Sequence, residues 1–91
     1  MNYPKIERIH PRCIIYDYGN NIKKFSYSDG DIYWIKEITY PNGTKDQIKH
    51  NLNGPAINCA DGHQSWWING QKINCSSQIE FERILKLKPF L

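Results

Sequence analysis

The 91-residue sequence has no long hydrophobic run: no uninterrupted apolar stretch, Cys13–Tyr16 among them, exceeds four residues. A membrane-crossing helix needs about 20 and a secretory signal at least about seven. Both are excluded as readings, and the chain is expected to be soluble and cytoplasmic. Cysteine is scarce and odd in number, with Cys13, Cys59 and Cys75 well separated. Such spacing does not read as a disulfide framework, and reduced thiols are the simpler reading. Charge of one sign is also lacking. Twelve Lys and Arg against nine Asp and Glu leave +3, too little for a strongly basic nucleic-acid domain. There is no nucleophile elbow, no Gly-rich phosphate loop and no His-Glu-x-x-His pair. Three Cys and three His supply residue types for nucleophilic catalysis, but no arrangement of nucleophile, base and orienting acid. The expectation is a protein that is not an enzyme and holds no cofactor.

Glycine organises what is present. Five of the six glycines follow Asn or Asp: Asp29-Gly30, Asn42-Gly43, Asn53-Gly54, Asp61-Gly62 and Asn69-Gly70; the sixth reads Gly19-Asn20. Tight hairpin turns need positive φ, which Asn, Asp and Gly reach at least cost. Successive glycines lie 11, 13, 11, 8 and 8 residues apart, the spacing of an all-β chain. Strands are predicted over Cys13–Tyr18, Ile22–Tyr27, Asp31–Tyr40, Lys45–His50, Ala56–Ala60, His63–Ile68 and Gln71–Asn74, with Lys45–His50 weak or at an edge. Pro4 and Pro11 mark residues 1–11 as irregular.

At the C-terminus the period changes. Ser77-Gln78-Ile79-Glu80 is a capping box, and Phe81, Ile84 and Leu85 fall on one helical face. Glu80 and Glu82 at the start, and Arg83, Lys86 and Lys88 at the end, complement the helix dipole. Pro89 stops the helix. The fold class is mainly β with one helix: a single domain over 1–91, with an antiparallel meander of about six or seven short strands over 12–75 and a helix over 77–87.

Twelve aromatic residues, three of them Trp, must carry much of a thin core. Neighbouring strand residues face opposite ways, so Trp66 and Trp67 diverge, as do Tyr33 and Trp34. A helix of about 16 Å cannot cover both faces of a single sheet. Either the sheet rolls up and buries the rings, or some of them meet a partner. Tyr33, Trp34, Trp66 and Trp67 are the candidate anchors, with Lys23, Lys24 and Lys36 as rim charges.

Ser28-Asp29-Gly30-x-x-x-Trp34-Ile35 is echoed by Ala60-Asp61-Gly62-x-x-x-Trp66-Trp67-Ile68 at an offset of 32. His50-Asn51-Leu52-Asn53-Gly54-Pro55-Ala56, then Asp61-Gly62, then Trp66-Trp67-Ile68-Asn69-Gly70-Gln71-Lys72, resembles the variant MORN-type hairpin repeat of small bacterial, phage and giant-virus proteins. The match covers residues 50–72; the N-terminal half keeps only Asp-Gly-x-x-x-Trp. The resemblance implies an antiparallel ribbon that serves as an interaction scaffold, with no catalytic residue. It further implies a phage or mobile-element protein, and from that habitat an inhibitor that docks on a host defence complex such as a CRISPR effector.

Two other constellations compete. His10, Cys13, Cys59 and His63 have the residue types of a zinc site, against the simpler reading of buried thiols and surface imidazoles. Lys23 and Lys24 beside Phe25 and Tyr27, with Lys36 near Trp34, offer phosphate contacts next to stacking rings. A nucleic-acid-binding sheet is therefore the alternative to a protein-binding module. A membrane partner is not expected; a homodimer through exposed edge strands is open.

Overall fold

The computed structural model describes residues 4–87. They form a meander-like sheet of eight antiparallel strands and one C-terminal helix: β1 (Lys5–His10), β2 (Cys13–Asp17), β3 (Ile22–Tyr27), β4 (Ile32–Thr39), β5 (Lys45–Lys49), β6 (Ile57–Asn58), β7 (Gln64–Ile68), β8 (Gln71–Ile73) and α1 (Gln78–Leu87). Among the described residues no helix is long and apolar enough to cross a membrane.

The Asx-Gly pairs make the turns by one local device used three times. In Tyr27–Asp31, Tyr40–Thr44 and Cys59–His63 the first N–H donates to the carbonyl of the fifth residue (2.8–2.9 Å), and the glycine N–H donates back to the first carbonyl (2.8–3.0 Å). The carboxylate or amide oxygen of Asp29, Asn42 and Asp61 accepts the N–H two residues on, at 2.9–3.0 Å. The glycine supplies the positive φ that closes such three-residue loops. Asn69 and Gly70 are both at positive φ (50° and 81°), the two-residue turn that suits the twist of adjoining strands.

Two expectations are corrected. Residues 1–11, read as irregular, contain strand β1, which pairs with β2 through a register shift between Ile6 and Arg8; residues 1–3 lie outside the described part. Asn53-Gly54, read as a hairpin turn, is not one: Gly54 lacks the positive φ of the other five glycines. It lies in an excursion from a strand. Lys49 sits opposite Ile35 and Ile57 opposite Tyr33, so β5 and β6 run along the same edge of β4 with residues 50–56 looped out between them. Both ends of the loop are pinned to Trp34, whose carbonyl accepts the His50 N–H (3.2 Å) and whose N–H donates to Ala56 (2.7 Å). It is β1 that takes the strand number from the seven predicted to eight.

The core sits at the C-terminal end. Trp66, Ile68, Ile73 and Phe81 form one buried cluster, with Leu52, Cys75, Ile84 and Leu85 packed against it. The predicted cap is present: Ser77 Oγ accepts the Glu80 N–H at 3.2 Å. Glu80 reaches back one residue further than the box requires, to the N–H of Ser76 (3.3 Å). Gln78 ties the helix start to the sheet, accepting the Trp66 indole N–H (2.9 Å) and donating to the Asn53 carbonyl (3.1 Å). Lys88 and the helix stop at Pro89 lie outside the described residues.

Candidate interaction site

Cross-strand register fixes which side chains share a face. Tyr16 is opposite Lys24, and Lys24 opposite Trp34. These three lie on the same face of the sheet as Lys36, through Ile22, and as Ile6 and Ile9, opposite Tyr16 and Ile14. Phe25, Tyr33, Ile35 and Lys23 lie on the other face.

On the first face the rings cluster around one ammonium group. Lys24 Nζ lies 4.8 Å from the Tyr16 ring centroid, 5.6 Å from Trp34 and 5.7 Å from Tyr18. Tyr18 and Trp34 are 4.9 Å apart at 49°. Among the described residues no carboxylate pairs with Lys24, so the quadrupoles of the rings are its counter-charge. Lys36 Nζ donates weakly to the Asn69 side chain (3.4 Å).

Beside Trp34 opens a cleft of about 290 Å³, walled on one side by Tyr18 and Ile22 and on the other by His50, Asn51 and Leu52. Leu52 also touches the buried cluster, so the 50–56 loop separates the closed core from the open cleft. His50 is only 6% exposed. Its Nδ1 accepts the Asn69 N–H at 2.9 Å, which places the ring proton on Nε2. Burial, and then the nearby Lys36, hold its pKa below the usual histidine value.

The opposite face is quieter. Tyr27 and Tyr33 meet edge to face at 5.4 Å. Desolvation raises both phenols, helped by the Cys13 thiol at Tyr27 and the Asp31 carboxylate at Tyr33. Lys23 pairs with Glu7 and with Glu37, and the hydrogen bond to Glu7 raises its pKa. Trp67 stacks under Lys49 (4.9 Å) and donates to Ser65 Oγ (2.9 Å).

The sequence-predicted residues therefore do not form one patch. Trp34, Lys24 and Lys36 share a face. Tyr33, Trp67 and Lys23 lie on the reverse, and Lys23 is consumed by two carboxylates. Trp66 is corrected from anchor to core, 2% exposed and packed on Phe81 at 6.3 Å. His10, Cys13, Cys59 and His63 do not assemble: among the described residues no three His, Cys, Asp or Glu groups come close enough to hold a metal ion. His63 instead pairs with Asp61 in its own turn at 2.9 Å. Burial pushes the Cys59 and Cys75 thiols up, away from thiolate chemistry.

Four contributors went unnoticed in the sequence. Tyr16 and Tyr18 were visible in principle, since residues two apart on an extended segment face alike. Ile6 and Ile9 were not: three positions apart, they share a face only because of the register shift between them. Neither a family model, nor a curated protein, nor a solved structure matches the chain.

Proposed function

We propose that this chain is a non-enzymatic protein-binding module that meets its partner through the face carrying Trp34. The observation that carries the reading is the state of that tryptophan. Trp66 and Trp67 spend their indole N–H groups on Gln78 and Ser65. Among the described residues Trp34 alone of the three has no protein acceptor for its own. Its half-buried ring stands beside the open cleft, on a face that also presents Ile6 (56% exposed) and Ile9 (72% exposed). An apolar patch with a tryptophan donor to satisfy is the composition of an interface centre. Docking on a host defence complex is the use we propose for it, on the strength of the resemblance to phage-type hairpin repeats.

The alternative, single-stranded nucleic acid, is favoured by Lys24 among Tyr16, Tyr18 and Trp34 without a carboxylate. The exposed isoleucines and the small net charge of +3 weigh for protein. Immobilised wild-type chain and a Trp34→Ala, Ile9→Glu variant, matched for folding by circular dichroism, separate the two. Stoichiometric capture of one protein by the wild type alone is the expected result. Equal capture by both, or tight oligonucleotide binding that weakens steeply with salt, would overturn it.

A further inference from the structure

Strand β1 ends the sheet and pairs only with β2; among the described residues nothing covers its outer edge. Its register shows which groups that edge offers. His10 and Cys13 face each other across the two residues Pro11 and Arg12. A loop that short leaves only the doubly hydrogen-bonded kind of pair. Pairs alternate along an antiparallel ladder, so the next residue, Ile9, turns its N–H and C=O away from β2.

The side chains of β1 are sorted by charge as well as polarity. Ile6 and Ile9 lie on the Trp34 face. Lys5, Arg8 and His10 lie on the other, opposite Asp17, Ile15 and Cys13. The Glu7 carboxylate is met by Lys23, and all six residues of β1 are exposed. One side of this edge is therefore aliphatic and the other carries the cations Lys5 and Arg8.

We propose that β1 takes up, as an added strand, an extended partner segment in which Asp or Glu alternates with aliphatic residues. The segment's side chains fall on the two faces with a period of two. The acidic ones meet Lys5, Arg8 and His10 while the aliphatic ones extend the Ile6–Ile9 patch. Main-chain hydrogen bonds give affinity and the alternating side chains give specificity, as in other strand-addition complexes. A second copy of this chain fits badly. Antiparallel self-pairing sets the cationic row of one β1 beside that of the other, and like charges directly opposite destabilise. The proposal deepens the protein-binding reading and rests on it.

The test titrates ¹⁵N-labelled full chain with a synthetic peptide alternating Glu and Val, and separately with its Lys/Val counterpart. The expected result is slowed exchange of the Ile9 amide and shifted β1 signals with the Glu/Val peptide, and affinity about tenfold lower for Lys/Val, from the opposed charge pairs. A Lys5→Glu, Arg8→Glu variant should invert that preference. Ile9→Pro, which removes an N–H that β2 does not use, should abolish peptide binding. Equal affinity for the two peptides, shifts confined to the Trp34 cleft, or β1 signals that move with protein concentration alone would each overturn the proposal. Trp34→Ala should leave peptide binding at β1 intact. Trp34-dependent partner capture without peptide binding thus rejects the edge and keeps the module. Peptide binding without such capture rejects the Trp34-face reading and keeps the edge.

Discussion

Trp34 and Trp66 occupy equivalent positions in the two Asp-Gly-x-x-x-Trp segments, yet one stands at an open cleft and the other lies in the core. The preceding turns are hydrogen-bonded alike, and each ring sits four residues after its glycine. What differs is the layer above. Trp66 has Phe81 and Gln78 of α1 over it; Trp34 has Tyr18 and the Lys24 side chain and borders the open cleft. The helix is too short to serve both. A repeated hairpin thus becomes a core at one end and a binding face at the other, through tertiary cover alone.

The largest test of this comparison is Phe81→Ala. Phe81 is fully buried, and such truncations cost about 3–5 kcal/mol, a large part of the 5–15 kcal/mol typical of domains. Trp34→Ala removes a larger ring but one only partly buried, and about 1–2 kcal/mol is expected. Urea unfolding of the two variants measures both. Equal losses would mean that the open face is as much a structural core as the covered end.

Much of this was legible beforehand, because turn chemistry is local. Four Asx-Gly pairs and Gly19-Asn20 located five of the turns, and Ser77 with Glu80 located the helix start. What was illegible depended on distant chain. Asn53-Gly54 has the same letters as a hairpin turn, but residues 50–56 are pinned at both ends to Trp34 and never need positive φ. β1 lacked a period-two pattern because the register shift at Ile6–Arg8 breaks it. Of the seven candidate site residues, Trp34, Lys24 and Lys36 share one face. Their separation from Tyr33, Trp67 and Lys23 follows from the alternation that the sequence already contained. The loss of Trp66 to the core follows from the docking of α1, which no local pattern encodes.

The glycines sharpen the same contrast on a smaller scale. Gly30 has φ +102°, and a Cβ there would stand 3.0 Å from Ala60 Cβ. Gly30→Ala should cost about 1–2 kcal/mol from the backbone alone, with the Ala60 contact adding to it. Gly54 carries no such φ, and its nearest contacts would be at an ordinary 3.8 Å. Gly54→Ala is expected within about 1 kcal/mol of wild type, on the stabilising side, because it restricts the unfolded chain. Thermal melts of the pair decide whether the loop is the excursion described or a true hairpin turn.

The smallest effect belongs to the wall between the two ends. His50 is held neutral in the fold, its Nδ1 accepting from Asn69 and its pKa lowered by burial and then by Lys36. Protonation would cost that hydrogen bond and leave a buried charge facing an ammonium. The unfolded chain, with an ordinary histidine near 6.5, takes up its proton first. Below that pH the unfolded state therefore binds more protons than the folded one, and stability falls as pH drops toward the depressed folded value. The loss should be on the order of 1 kcal/mol, the worth of one such hydrogen bond. It should be seen in urea midpoints between about pH 7.5 and pH 5, a window above the carboxylate range. His50→Asn offers a non-titrating acceptor in the place of Nδ1 and should flatten the profile. A profile that stayed steep in His50→Asn would move the acid sensitivity off the loop, and with it the role of this histidine in keeping the cleft apart from the core.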